Sequence, residues 1–88
     1  MSVVSKEDLA TYCRLDEEEI IAAAEKLAEK MEARLKRKGA ADTPATHDDF
    51  CLTVMAMTLH ELDHPGEKIP QGIQDMITEL KLIKHGGV

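Results

Sequence analysis

The chain has 88 residues, room for one small domain and one core. Its formal net charge of −6 argues against nucleic-acid binding through a broad basic surface. Tyr12 and Phe50 are the only aromatic residues, so the core must be built from Leu, Ile, Met and Ala, which suits helix packing and an all-α fold.

From the front, Met1 to Val4 is a short apolar lead, expected to be loose unless it meets a neighbour; residues 1–4 and 85–88 are both read as flexible ends. Ser5 caps a short helix, with Asp8 at the third position after it as capping-box partner. Leu9, Tyr12 and Cys13 give that helix an inner face, and Arg14-Leu15 turns the chain. Asp16 is expected to cap a long second helix, with Glu17, Glu18 and Glu19 in the first turn. Ile20, Ala24, Leu27, Met31 and Leu35 recur at three-four spacing, widened by Ile21 and Ala28. Glu32 is placed to pair with Lys36 one turn on. The helix ends in Arg34, Lys36, Arg37 and Lys38, with Gly39 as the residue past its end.

Ala40 to Ala45 reads as a loop. Thr46 is expected to cap the third helix through its hydroxyl, helped by Asp48 and Asp49. Phe50 to Leu62 is the most apolar run in the chain. Cys51, Val54, Met55, Thr58 and Leu62 fall along one stripe, and Leu52, Met57 and Leu59 cover other directions. A helix apolar on most of its surface is buried on most of its surface, so this is expected to be the central helix. Pro65-Gly66 stops it, Pro70 opens a last helix, and Ile73, Met76, Ile77, Leu80 and Ile83 form its apolar face. The expectation is a single compact bundle of about four helices, ordered short, long, central and terminal.

Cys13 and Cys51 are too few for a disulfide framework. They read as small buried hydrophobes in a reducing compartment, with a disulfide between them left open. No apolar run is long enough to span a membrane and no signal peptide precedes the first helix. The expectation is a protein that is cytosolic when made and makes no membrane contact.

One string looks enzymatic: His60-Glu61-Leu62-Asp63-His64. Two imidazoles one turn apart on a helix can share a zinc ion while the Glu polarises a water. Against that reading, Pro65 follows the second His at once, Asp63 places a charge inside the string, and a third ligand must still be found. Glu79 or His85 could be nominated, with nothing favouring either. The alternative is a polar helix end, where the histidines satisfy the last carbonyls; no cofactor is then required. The basic end at Arg34 to Lys38 has a similar choice. It either compensates the helix dipole or forms a contact patch for an acidic partner or for DNA phosphate.

The order of features resembles the head–tail connector (head-completion) proteins of long-tailed bacteriophages. The phrase Val4-Ser5-Lys6-Glu7-Asp8-Leu9-Ala10-Thr11-Tyr12-Cys13-Arg14-Leu15-Asp16 is similar to that family's opening. An acidic run into an Ile- and Ala-rich helix follows, as Glu17-Glu18-Glu19-Ile20-Ile21-Ala22-Ala23-Ala24. An apolar helix ending in His and an acid comes next, Thr53 to Glu61, and then a Pro-Gly phrase opening the last helix, Ile69-Pro70-Gln71-Gly72-Ile73. The family often carries aromatic residues after the His, where this chain has Glu61-Leu62-Asp63.

The resemblance implies a non-enzymatic protein of a phage or prophage. It would form a homo-oligomeric ring that docks on the portal protein, receives a tail-side completion protein, and lets DNA pass through its lumen without specific binding. It would assemble in the host cytoplasm and end at the head–tail junction of the virion. The nominated contact residues are Val3, Val4, Leu82 and Ile83 at the apolar ends, and Arg34, Lys36, Arg37 and Lys38 at the basic helix end. Acids such as Glu25 and Glu29 would line a lumen that DNA slides past. Two further readings stand beside it. One is a small helical adaptor or regulator that binds a partner protein; the other is a minimal zinc hydrolase using His60, Glu61 and His64.

Overall fold

The computed structural model describes residues 3–85, with side chains described through residue 82. Four helices follow in order: α1, Lys6–Cys13; α2, Glu18–Arg37; α3, His47–Asp63; and α4, Gln71–His85. The described residues contain no strand, and the fold is a small all-α bundle. No helix among them is long and apolar enough to cross a membrane.

Helix α1 begins as its sequence dictates. Ser5 is extended (φ −72°, ψ 155°), and its Oγ accepts from the Asp8 amide at 3.1 Å. The helix ends on Arg14 in the left-handed region, φ 56°. The Arg14 amide donates to the Thr11 carbonyl and the Leu15 amide to the Ala10 carbonyl. This crossed pair is the usual glycine-terminated helix ending, built here on an arginine. Helix α2 ends the same way on Gly39 (φ 106°), with Gly39 donating to Lys36 and Ala40 to Leu35.

The start of α2 differs from the expectation. Glu17, not Asp16, occupies the capping position, and no side chain caps the helix. Four acids in a row offer four candidate caps. The chain stays extended through Glu17, so the free amides are compensated by the charges of Glu18 and Glu19. The buried stripe is Ile21, Ala24, Ala28, Met31 and Leu35, a strict three-four alternation. Ile20, expected in the stripe, is 42% exposed, and Leu27 is half-buried. The fully buried alanines at 24 and 28 let a neighbouring helix approach closely.

Thr46 is also not a side-chain cap. Its carbonyl accepts from the Phe50 amide, so it opens α3 by backbone alone. The hydroxyl turns back into the preceding loop. There it donates to the Ala41 carbonyl at 2.7 Å and accepts from the Thr43 amide at 2.9 Å. Thr46 is thereby buried with its polar atom satisfied.

Helix α3 packs against α1, α2 and α4, as a central helix should. Its buried face is Phe50, Thr53, Val54, Met57 and Thr58, rotated from the expected stripe. Cys51, Met55, Leu59 and Leu62 are half-buried, and Leu52 is 41% exposed. The two threonines go inside because their hydroxyls bond their own helix: Thr53 Oγ1 donates to Asp49 O and Thr58 Oγ1 to Val54 O. Their methyls are then left for the core. In α4, Ile77 and Leu80 are buried and Ile73 and Met76 half-buried.

The N-terminal lead is not free from residue 3 onward. The Val3 amide donates to Glu32 Oε1 at 2.6 Å, and Val4 is buried in the core cluster. Glu32 joins this lead to α2, because its other oxygen accepts from Lys36 Nζ at 3.1 Å. At the far end α4 runs on to His85. Residues 1–2 and 86–88, the rest of the expected loose ends, lie outside the described residues.

Candidate functional site

The enzyme-like string sits at the end of α3, and its polar groups are turned to the loop that follows. His60 Nε2 lies 2.9 Å from the Lys68 carbonyl, eight residues on. Glu61 Oε2 accepts from the Gly66 amide at 2.7 Å. His64 Nδ1 lies 2.7 Å from Glu67 Oε2. The His60 and His64 rings stand tilted to each other with centroids 5.4 Å apart. Sequence reasoning gave these histidines the last carbonyls of their own helix. The structure instead gives His60 the carbonyl of a loop residue, because Gly66 (φ 77°) folds the chain back towards the helix.

Of the two nominated third ligands, Glu79 does not complete a metal site. Glu79 lies in a small groove with Asp49, Leu52, Thr53, Met76 and Leu80, beside the opposite end of α3. Thr53 and His60 are seven residues apart, roughly 10 Å along the helix. The His85 side chain lies outside the described residues. Among the described residues, no three His, Cys, Asp or Glu side chains gather as metal ligands would.

The loop held by the string forms one wall of a cleft of about 560 Å³. Gly66, Glu67, Lys68 and Ile69 supply that wall. Arg34 and Lys38 come from the end of α2, and Gln74, Ile77, Thr78 and Lys81 from α4. Four cations thus converge from three elements in a chain of net charge −6. Arg34 and Lys38 share a face because they lie one helical turn apart. Lys81 is placed by α4, its stem 3.9 Å from where a side chain on Gly39 would begin. Among the described residues none of the four forms an ion pair. Glu67, the one carboxylate in the lining, is engaged by His64.

Of the contact residues expected from sequence, Arg34 and Lys38 are therefore brought together with new partners. Lys36 and Arg37 lie off the cleft, with Lys36 paired to Glu32. Val4 is buried and unavailable as a contact surface, and Val3 is half-buried. Leu82 is 65% exposed, and the Ile83 side chain lies outside the described residues. Lys68 and Lys81 were missed. Each is an isolated lysine in sequence, and only the fold of the α3–α4 loop sets them beside α2.

Comparison with family models, with curated proteins and with solved structures returns no match.

Other titratable groups lie away from the cleft. Both cysteines are free. Burial pushes the Cys13 thiol up, and Asp63 adds to it. Burial also raises Cys51, with Asp42, Asp48, Glu32 and Asp8 contributing. His47 is raised chiefly by its 2.9 Å hydrogen bond to Asp42.

Proposed function

We propose that this chain is a head–tail connector of a phage or prophage, a non-enzymatic subunit that forms a ring on the portal and offers a surface to the next tail-side component. The observation that carries the reading is where the residues behind the resemblance fall. Val4 lies in the core, Ser5 caps α1, Leu9 is fully buried, and Arg14 makes the left-handed ending before Leu15. These are fold-setting roles, as the resemblance would require of a phrase that builds a small helical domain.

The fate of the His60–His64 string supports the same reading. Its side chains hold the α3–α4 loop, a structural role that needs no metal. In this proposal the subunit assembles in the host cytoplasm and finishes at the head–tail junction of the virion, with DNA crossing the ring unbound.

The test is co-expression with the portal protein of the same genome, read by light-scattering mass and negative-stain imaging, with zinc and chelator arms. A closed ring of this chain seated on the portal in both arms is the expected result. A chain that stays apart from an assembled portal overturns the proposal. Stoichiometric zinc lost on replacing His60 or His64 would return the hydrolase reading.

A further inference from the structure

The unneutralised cleft has a natural occupant on the chain itself. We infer that the exposed acidic start of α2 in one copy docks into the basic cleft of a second copy. Asp16, Glu17, Glu18 and Glu19 are all exposed and are followed by Ile20, which is 42% exposed. The cleft offers Arg34, Lys38, Lys68 and Lys81, with half-buried Ile69 also in its lining. Four carboxylates and an exposed isoleucine therefore meet four cations and one half-buried isoleucine.

The two surfaces cannot satisfy each other within one molecule. They lie at opposite ends of α2, whose 20 residues span about 30 Å. The contact is therefore between copies and heterologous: each subunit gives its acidic end to one neighbour and its cleft to another. Such contacts close into rings when the rotation allows and otherwise extend into filaments. The inference deepens the connector reading and rests on it only for the expectation that the ring closes. A phosphate polyanion is the weaker occupant. The rest of the surface is acidic and would repel a long nucleic acid, whose phosphates offer no apolar group for Ile69.

The experiment is a charge swap in the full chain, without portal, measured by sedimentation over a concentration series. Variant one carries Glu17→Lys and Glu18→Lys; variant two carries Lys38→Glu and Lys68→Glu. All four positions are exposed, and far-UV circular dichroism checks each fold. A milder pair, Glu17→Gln with Glu18→Gln, serves if variant one fails to fold.

Wild type should associate at about 50 mM salt and weaken by at least about tenfold at about 500 mM. Each variant alone should associate at least about tenfold more weakly than wild type. An equimolar mixture of the two should associate more strongly than either alone, because the unaltered acidic end of variant two then meets the unaltered cleft of variant one. Wild type that is monomeric throughout overturns the inference, as do variants that associate like wild type. In either case the portal experiment still decides the connector reading separately. Binding of short duplex DNA that Lys38→Glu and Lys68→Glu abolish, with no self-association, would assign the cleft to phosphate and also overturn it.

Discussion

Replacing Thr46 by valine removes one hydroxyl and changes almost nothing else in shape. In this structure that hydroxyl closes the α2–α3 loop, donating to Ala41 O and accepting from Thr43 N while almost fully buried. The two backbone hydrogen bonds, of about 1 kcal/mol each, are lost together with the 2.9 Å hydrogen bond to the Thr43 hydroxyl, and the two backbone groups are left in a partly dry site. The expected loss is about 2–3 kcal/mol, which in a domain of this size lowers the melting temperature by roughly 10–20 °C. Thr46→Ser keeps both bonds and loses one buried methyl, at about 1 kcal/mol. Thr46→Asp is the deciding variant. Aspartate caps helices as well as threonine does, but a carboxylate cannot donate to the Ala41 carbonyl. Urea unfolding followed by circular dichroism should therefore rank Ser well above Val and Asp. Wild-type stability in Thr46→Asp would refute the loop-closing role and return Thr46 to a capping one.

The loop beside the cleft gives a second test. Glu61→Ala should speed exchange of the Gly66 amide by about tenfold while Glu61→Gln, which keeps an acceptor, should not; equal exchange in both would mean that the carboxylate does not hold the loop. Arg14→Gly should stabilise the chain by about 0.5–1 kcal/mol, because the left-handed ending of α1 suits glycine better than any L-residue; a lower denaturation midpoint would count against it. The raised His47 makes its pairing with Asp42 favour the folded state fully below the unfolded value of about 6.5, and this contribution fades as pH rises through the higher folded value. His47→Asn should flatten the stability profile in that window, and an unchanged slope would exclude the pair as its source. Both thiols should alkylate slowly at mildly basic pH, with half-buried Cys51 ahead of buried Cys13; the reverse order would contradict their burial.

Helix number and order were legible because each helix carries a clear period or a clear stop. Gly39 ends α2 where a left-handed residue is cheapest, and the Pro65-Gly66 turn follows directly on the end of α3. The rotation of α3 was harder to read. That helix is apolar on several sides, and Thr53 and Thr58 conceal their polarity by bonding their own backbone. The cap of α2 was ambiguous for the opposite reason, since four neighbouring acids give the same signal. Arg34 and Lys38 could be nominated from sequence because they crowd one helix end. Lys68 and Lys81 could not, because their closeness to that end depends on a loop tied by His60 and Glu61. The string that most resembled chemistry was thus informative about a site through the loop it fixes.

The neighbour-to-neighbour packing of the helices also sets an order of events as the chain folds. Helix α1 packs on α2, α2 on α3 and α3 on α4, so most closures span a single loop and cost little entropy. Yet α1 and α2 alone leave the stripe from Ala24 to Leu35 without its largest partner, and α4 has no seat until α3 is in place. A chain emerging from the ribosome would therefore hold no lasting structure until Asp63 had cleared the exit. It would then complete the bundle as α4 emerges and takes its seat on α3.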